Sequence, residues 1–130
     1  MHMVKGDFCL PRAARLRMDR DIGALFGEGR SGFVFPYRYY YRLLPASDDV
    51  PAAAMLVSVP KKMFKRAVMR NLLKRRTREA FRLERAAVEM RLASEGKRLQ
   101  VAFVYSSREE LPLTVLRGSV ARILRRVAEE

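Results

Sequence analysis

The stretch KRAVMRNLLKRRTREAFR, Lys65 to Arg82, limits the possible folds of this chain more than any other. It holds eight basic residues and one acid, Glu79, with Ala67, Val68, Met69, Leu72, Leu73, Ala80 and Phe81 threaded between them. A disordered basic tail does not carry so many large apolar side chains. Wound at about 100° per residue, Arg70, Asn71, Lys74, Arg75, Arg78 and Arg82 fall within an arc of roughly 140°. Met69, Leu72, Leu73, Ala80 and Leu83 fall on the opposite side. The segment reads as a helix that docks one arc on a sheet and turns cations outward.

The remaining elements follow from punctuation and periodicity. Residues 1–17 read as irregular, with basic LPRAARLR and Pro11. Asp19 or Asp21 can N-cap a short helix through IGALF, with Ile22, Leu25 and Phe26 on one face and Gly27 and Gly29 as stops. FVFPYRYYYRL, Phe33 to Leu43, reads as one aromatic strand in which Pro36 marks an edge, a bulge or a strand start. Alternation puts Phe35, Tyr37, Tyr39 and Tyr41 on one face and Arg38, Tyr40 and Arg42 on the other. PASDDVP is a loop, and AAAMLVSV, Ala52 to Val59, is a buried strand expected to pair antiparallel with the first. The basic helix runs from about 62 to 93, with Gly96 as its stop. Leu99 to Ser106 is a third strand, SSREELP a loop with capping potential, and Thr114 to Ala128 a closing helix whose apolar stripe includes Val115. The expected architecture is α+β: one domain over residues 1–130, a small mostly antiparallel sheet with helices packed on it, in the order α-β-β(-β)-α-β-α.

Charge narrows the partner. Against 14 Asp and Glu stand 27 Lys and Arg, mostly Arg, for a formal net charge of +13 in 130 residues. That imbalance strains the folded state by self-repulsion and fits a polyanionic partner. Arg matches phosphate oxygens with a planar fork and stacks on bases, which favours nucleic acid over a lipid headgroup. The single Cys9 excludes an intramolecular disulfide, and the single His2 removes the usual Ser-His-Asp, Cys-His and His-metal arrangements. No apolar run approaches the roughly 20 residues of a membrane span, and the N-terminus has no signal-peptide core, so a cytoplasmic protein is expected.

A solvated helix face is the plain alternative for Lys65 to Arg82. Such faces usually alternate charge signs and gain about 0.2–0.5 kcal/mol per i,i+4 pair. Here Arg70–Lys74, Lys74–Arg78 and Arg78–Arg82 are like-charge pairs, and Lys61, Lys62, Lys65 and Arg66 enlarge the patch at the helix start. Only Glu79 is near enough to offset Lys74 and Arg75. A polyanion relieves that repulsion, with affinity falling steeply as salt rises.

The run VSVPKKMFKRAVMRNLLKRRTREAFR closely resembles the signature of the protein subunit of bacterial ribonuclease P. The signature is a strand ending Ser/Thr-Val-x-Lys-Lys, then a helix carrying Arg-Asn-x-x-Lys-Arg-x-x-Arg-Glu. It is matched here by Ser58, Val59, Lys61, Lys62, Ala67, Arg70, Asn71, Lys74, Arg75, Arg78 and Glu79. LPRAARL, LFGEG, the aromatic strand, VAFVYS and the closing basic helix follow the family's order, so the resemblance covers nearly the whole chain. It departs at Leu72, where a second Arg is common, at Leu56, where Gly is frequent, and at Ile22, where an aromatic often stands.

The resemblance implies a subunit of an endoribonuclease that removes the 5′ leader of precursor tRNA. Its catalytic centre belongs to an RNA subunit, and Mg²⁺ is bound mainly by that RNA. The implied partners are the catalytic RNA and precursor tRNA, with no membrane and no required protein partner. No acid–base pair, nucleophile or two-metal carboxylate cluster is visible in the chain, in keeping with that division of labour. The implied RNA-binding residues are Lys61, Lys62, Lys65, Arg66, Arg70, Asn71, Lys74, Arg75, Arg78 and Arg82. The implied leader cleft comprises Ile22, Phe26, Arg38, Tyr40 and Arg42, although core packing is the plain reading of Phe26 and an even alternative for Tyr40. The family fold also implies a left-handed βαβ crossover, against the general handedness rule. Two other readings stand beside this one: a structural, ribosomal-type RNA-binding protein without a role in cleavage, and a basic amphipathic helix for membrane surfaces.

Overall fold

The computed structural model describes residues 23, 25–27 and 29–129. Residues 23 and 25–27 are helical. They are followed by β1 (Arg30–Val34), β2 (Tyr37–Pro45), β3 (Ala53–Ser58), helix α1 (Ala67–Ser94), β4 (Lys97–Tyr105) and helix α2 (Leu113–Ala128). The sheet order is β1-β2-β4-β3, with antiparallel β1–β2 and β2–β4 and parallel β3–β4. This is the expected mostly antiparallel α+β sheet. Ile22, the Asp19 or Asp21 cap and the irregular 1–17 segment lie outside the described residues.

The aromatic run forms a hairpin rather than one strand. Val34 pairs with Tyr37, so the turn is Phe35–Pro36, whose peptide bond is cis, and Pro36 marks the start of β2. Facing residues of a hairpin share a sheet face. The alternation therefore changes phase at the turn: Val34, Tyr37, Tyr39 and Tyr41 are buried, while Phe35 is 51% exposed. Phe33, opposite Arg38, joins the outer face.

β3 does not pair with the first strands. The chain leaves β3 along the 28-residue α1 and returns parallel to it as β4, which enters between β2 and β3. A crossover of that length permits a parallel neighbour, whereas a short turn forces an antiparallel one. The central position of β4 explains its continuous apolar run, because it is covered on both faces: Leu99 to Phe103 are all buried, Gln100 included.

Both long helices cover the inner face. Phe81 of α1 packs against Phe103 at a centroid separation of 6.2 Å, and Tyr37 lies 5.4 Å from Phe103. Each fully buried aromatic of this kind contributes about 2–3 kcal/mol. The buried Thr77 hydroxyl donates to the Leu73 carbonyl at 2.8 Å and shares a 2.7 Å hydrogen bond with the Tyr37 hydroxyl. Burial pushes the Tyr37 phenol well above its ordinary value. These contacts set the rotation of α1. Thr77 and Phe81 are buried, whereas Leu72 and Leu83 of the expected docking arc are half-buried. α2 closes the inner face with Leu116, Val120, Ile123, Leu124 and Val127. Its Val115 is exposed, and Ser119 donates to the Phe35 carbonyl at 2.7 Å, tying the helix to the hairpin turn. Pro112 caps α2 without a side-chain bond, while the Ser107 hydroxyl accepts from the Glu109 amide instead.

Candidate nucleic-acid interface

The first surface is the start of α1 and the loop before it. The helix begins at Ala67, not near 62, because Pro60 opens a turn: its carbonyl accepts from the Met63 amide at 3.0 Å, and Arg66 is extended. Two arginines fix this loop from opposite sides. Arg70 donates to the carbonyls of Phe64 at 2.9 Å and Lys65 at 2.8 Å. Arg108, from the β4–α2 loop, donates to the Lys62 carbonyl at 2.9 Å. Lys61, Lys62, Lys65 and Arg66 are exposed around it.

The electrostatics of α1 divide along its length. Its first turn holds no acid, and its N-cap makes no side-chain hydrogen bond. Cations therefore gather at the positive end of the helix dipole, an arrangement that favours a bound anion over the empty state. The acids of α1 all lie further on, and each is paired: Glu79 with Arg82, Glu84 with Arg117, Glu89 with Arg85. Arg82 meets both Glu79 oxygens, at 2.8 and 2.6 Å, and this hydrogen bonding holds the Glu79 carboxyl below its usual range. The offset expected from Glu79 thus goes to Arg82. Among the described residues, Lys61, Lys62, Lys65, Arg66, Lys74 and Arg75 form no ion pair; Asn71 and Arg75 are exposed, and Lys74 and Arg78 half-buried. Arg76, on the other side of the helix, is committed to the fold, donating to the Leu111 carbonyl at 2.8 Å with Glu110 at 3.1 Å.

The second surface is the outer sheet face. Arg38, Tyr40 and Arg42 project from β2 on the side opposite Tyr37, Tyr39 and Tyr41, as alternation requires. Leu25 packs on this face against Ala54 and Ala102, with Tyr40 and Leu56 beside them. That contact fixes the short helix along the sheet and sets Phe26 against Tyr40, ring centroids 4.8 Å apart. Gly29 is needed for the approach, because a Cβ there would meet the Leu25 and Tyr41 carbonyls. Phe26 remains 42% exposed, Arg38 is exposed, and Arg42 donates to Gln100 at 2.6 Å. The face therefore brings together Phe26, Arg38, Tyr40 and Arg42. Phe33, to which the sequence reading gave no face, is a further aromatic on it; Pro36 in mid-run was the signal for the change of phase.

Among the described residues, no group of three or more His, Cys, Asp or Glu side chains could hold a metal ion. A groove of about 290 Å³ between α1 and α2, lined in part by Val88, Leu124 and Arg125, shares no residue with either surface. No helix among the described residues is long and apolar enough to cross a membrane.

An α+β domain with an acid-free cationic helix start and an aromatic–arginine sheet face combines the two features that RNA recognition uses, charge for phosphates and rings for unstacked bases. The family model described as Ribonuclease P matches residues 10–128. A ribonuclease P protein component of Porphyromonas gingivalis is 41% identical over 105 residues, which span 81% of this chain and 75% of that protein. Its counterpart in Chlorobium phaeobacteroides is 33% identical over 121 residues, spanning 86% and 83%. The RNase P proteins of Thermotoga maritima and Staphylococcus aureus share the fold. Their TM-scores are 0.66 and 0.64, at 23% and 20% identity; 86% and 89% of this chain and 96% of each of theirs are covered. The chain belongs to the ribonuclease P protein family. It is a subunit of the tRNA 5′-processing endonuclease, a ribonucleoprotein nuclease of generally metal-dependent chemistry, and it works with the RNA subunit on precursor tRNA.

Proposed function

We propose that the two surfaces divide the RNA between them. The loop 60–66 and α1, through Lys61, Lys62, Lys65, Arg66, Asn71, Lys74, Arg75 and Arg78, hold the catalytic RNA. The outer face, through Phe26, Arg38, Tyr40 and Arg42, holds the single-stranded leader, with Ile22 carried over from the family resemblance. Arg70 and Arg82 serve the first surface less directly. Arg70 shapes the loop through two carbonyls, and Arg82 is engaged by Glu79. The whole chain acts as one domain.

The observation that carries this reading is the pairing of Phe26 with Tyr40 on a face flanked by Arg38 and Arg42. Ring faces accept any base, and the arginines meet the phosphates between bases. Leu72, where the family often has Arg, is half-buried outside the cationic arc, so the first surface does without that contact. The metal of the reaction is Mg²⁺ held mainly by the RNA, a reading carried over from the family resemblance. The site of action is the cytoplasm, where precursor tRNA is made.

The test compares precursor and mature tRNA binding by the reconstituted holoenzyme. Tyr40→Ala should weaken the precursor by about five-fold or more, the range of one lost base stack, and leave mature tRNA unchanged. Equal losses for both would return Tyr40 to the core.

A further inference from the structure

The outer face does not end at β2. Its edge strand, β1, carries Phe33 directly opposite Arg38, and Phe33 is 48% exposed. Tyr40 is opposite Ser31, so Phe33 is its diagonal neighbour, a spacing of about 7–8 Å between facing strands. Phe33 thus adds a third aromatic to the face that carries the Phe26–Tyr40 pair, and Arg38 neighbours it across the strands and Tyr40 along β2.

Large apolar groups on an edge strand are a liability unless something covers them. Here the strand is held in place, because Arg126 of α2 donates to the Phe33 carbonyl at 3.4 Å and Ser119 to that of Phe35. A half-exposed ring on an anchored strand, beside an exposed guanidinium on a +13 protein, is complementary to a base and its phosphate. Charge also selects the occupant. A second copy of this chain would bring like charge to Arg38, whereas single-stranded RNA brings phosphates.

We infer that Phe33 and Arg38 form a further base-stacking step at the β1 edge, which takes a leader nucleotide beyond the one held at Phe26 and Tyr40. The step rests on the leader reading of the outer face. It gives the protein a measuring length: leaders too short to reach β1 gain nothing from Phe33.

The test is the affinity of the reconstituted holoenzyme for precursor tRNAs of stepwise longer leaders. Wild-type affinity should climb in steps. Phe33→Ala should lose only the last step, at least about five-fold on long leaders, with short leaders and mature tRNA unchanged. Phe33→Tyr, which keeps the π-face, should retain the step, and Phe33→Leu, which keeps bulk without it, should not. Phe33→Leu also guards against misfolding of the Ala variant. If Phe33→Ala or Phe33→Leu matches wild type at every length while Tyr40→Ala loses leader dependence, the β1 step is wrong and the leader face stands. If wild type itself shows no leader dependence, the leader face fails and the β1 step with it.

Discussion

Replacing Lys74 and Arg75 together with Ala should weaken RNA binding and stabilise the protein at once. Neither side chain makes an ion pair among the described residues, and Glu79, four residues after Arg75, gives both oxygens to Arg82. Their removal breaks no internal bond and relieves the like-charge pairs Arg70–Lys74 and Lys74–Arg78, each unfavourable by about 0.2–0.5 kcal/mol. Ala is also the better helix former. Stability should therefore rise by up to about 1 kcal/mol. Each lost phosphate contact should reduce the slope of log affinity against log salt by about 0.7–0.9, hence about 1.4–1.8 for the pair. Catalytic-RNA affinity across a salt series, with denaturant unfolding of the same variant, measures both signs. Arg91→Ala is the control: Arg91 is exposed and faces Glu95 at the far end of α1, and its slope should match wild type. An unchanged slope in the double variant, or a loss of stability alongside binding, would refute the assignment.

Thr77→Val leaves the buried Tyr37 hydroxyl without its partner and should cost about 1–3 kcal/mol in denaturant unfolding, much of it recovered by adding Tyr37→Phe. Because burial raises the Tyr37 pKa, the native state holds that proton where the unfolded chain loses it, so stability should fall as pH rises above about 10. Tyr37→Phe should flatten that alkaline limb, measured by unfolding across pH. Arg70→Ala removes the two bonds to the Phe64 and Lys65 carbonyls, so amide exchange in loop 60–66 should quicken and catalytic-RNA affinity fall.

The sequence displayed its periodic features and concealed its long-range ones. The cationic arc of α1, the inward Tyr37, Tyr39 and Tyr41 and the Gly96 stop, where φ is +67°, were legible because each follows from local geometry. The partner of β3 was not. Nothing local in AAMLVS tells a parallel neighbour from an antiparallel one; the return through α1 decides it. Phe35 was grouped with the inward tyrosines because a two-residue turn at Phe35–Pro36 reverses the phase of an otherwise regular alternation. Arg70 looked like its neighbours on the helix wheel, yet its guanidinium turns back to the loop carbonyls, a contact with no periodic signature. The rotation of α1 was concealed likewise, because the buried Tyr37–Thr77 bond joins residues 40 positions apart.

The most direct test of two separate RNA surfaces is site-specific crosslinking in the assembled ribonucleoprotein with bound precursor tRNA. Arg38→Cys and Arg75→Cys, each in a Cys9→Ser background, would carry the same short photo-crosslinker. Position 38 should capture the precursor's 5′ leader and position 75 the catalytic RNA. Capture of the same RNA from both positions, or of the leader from position 75, would contradict that division.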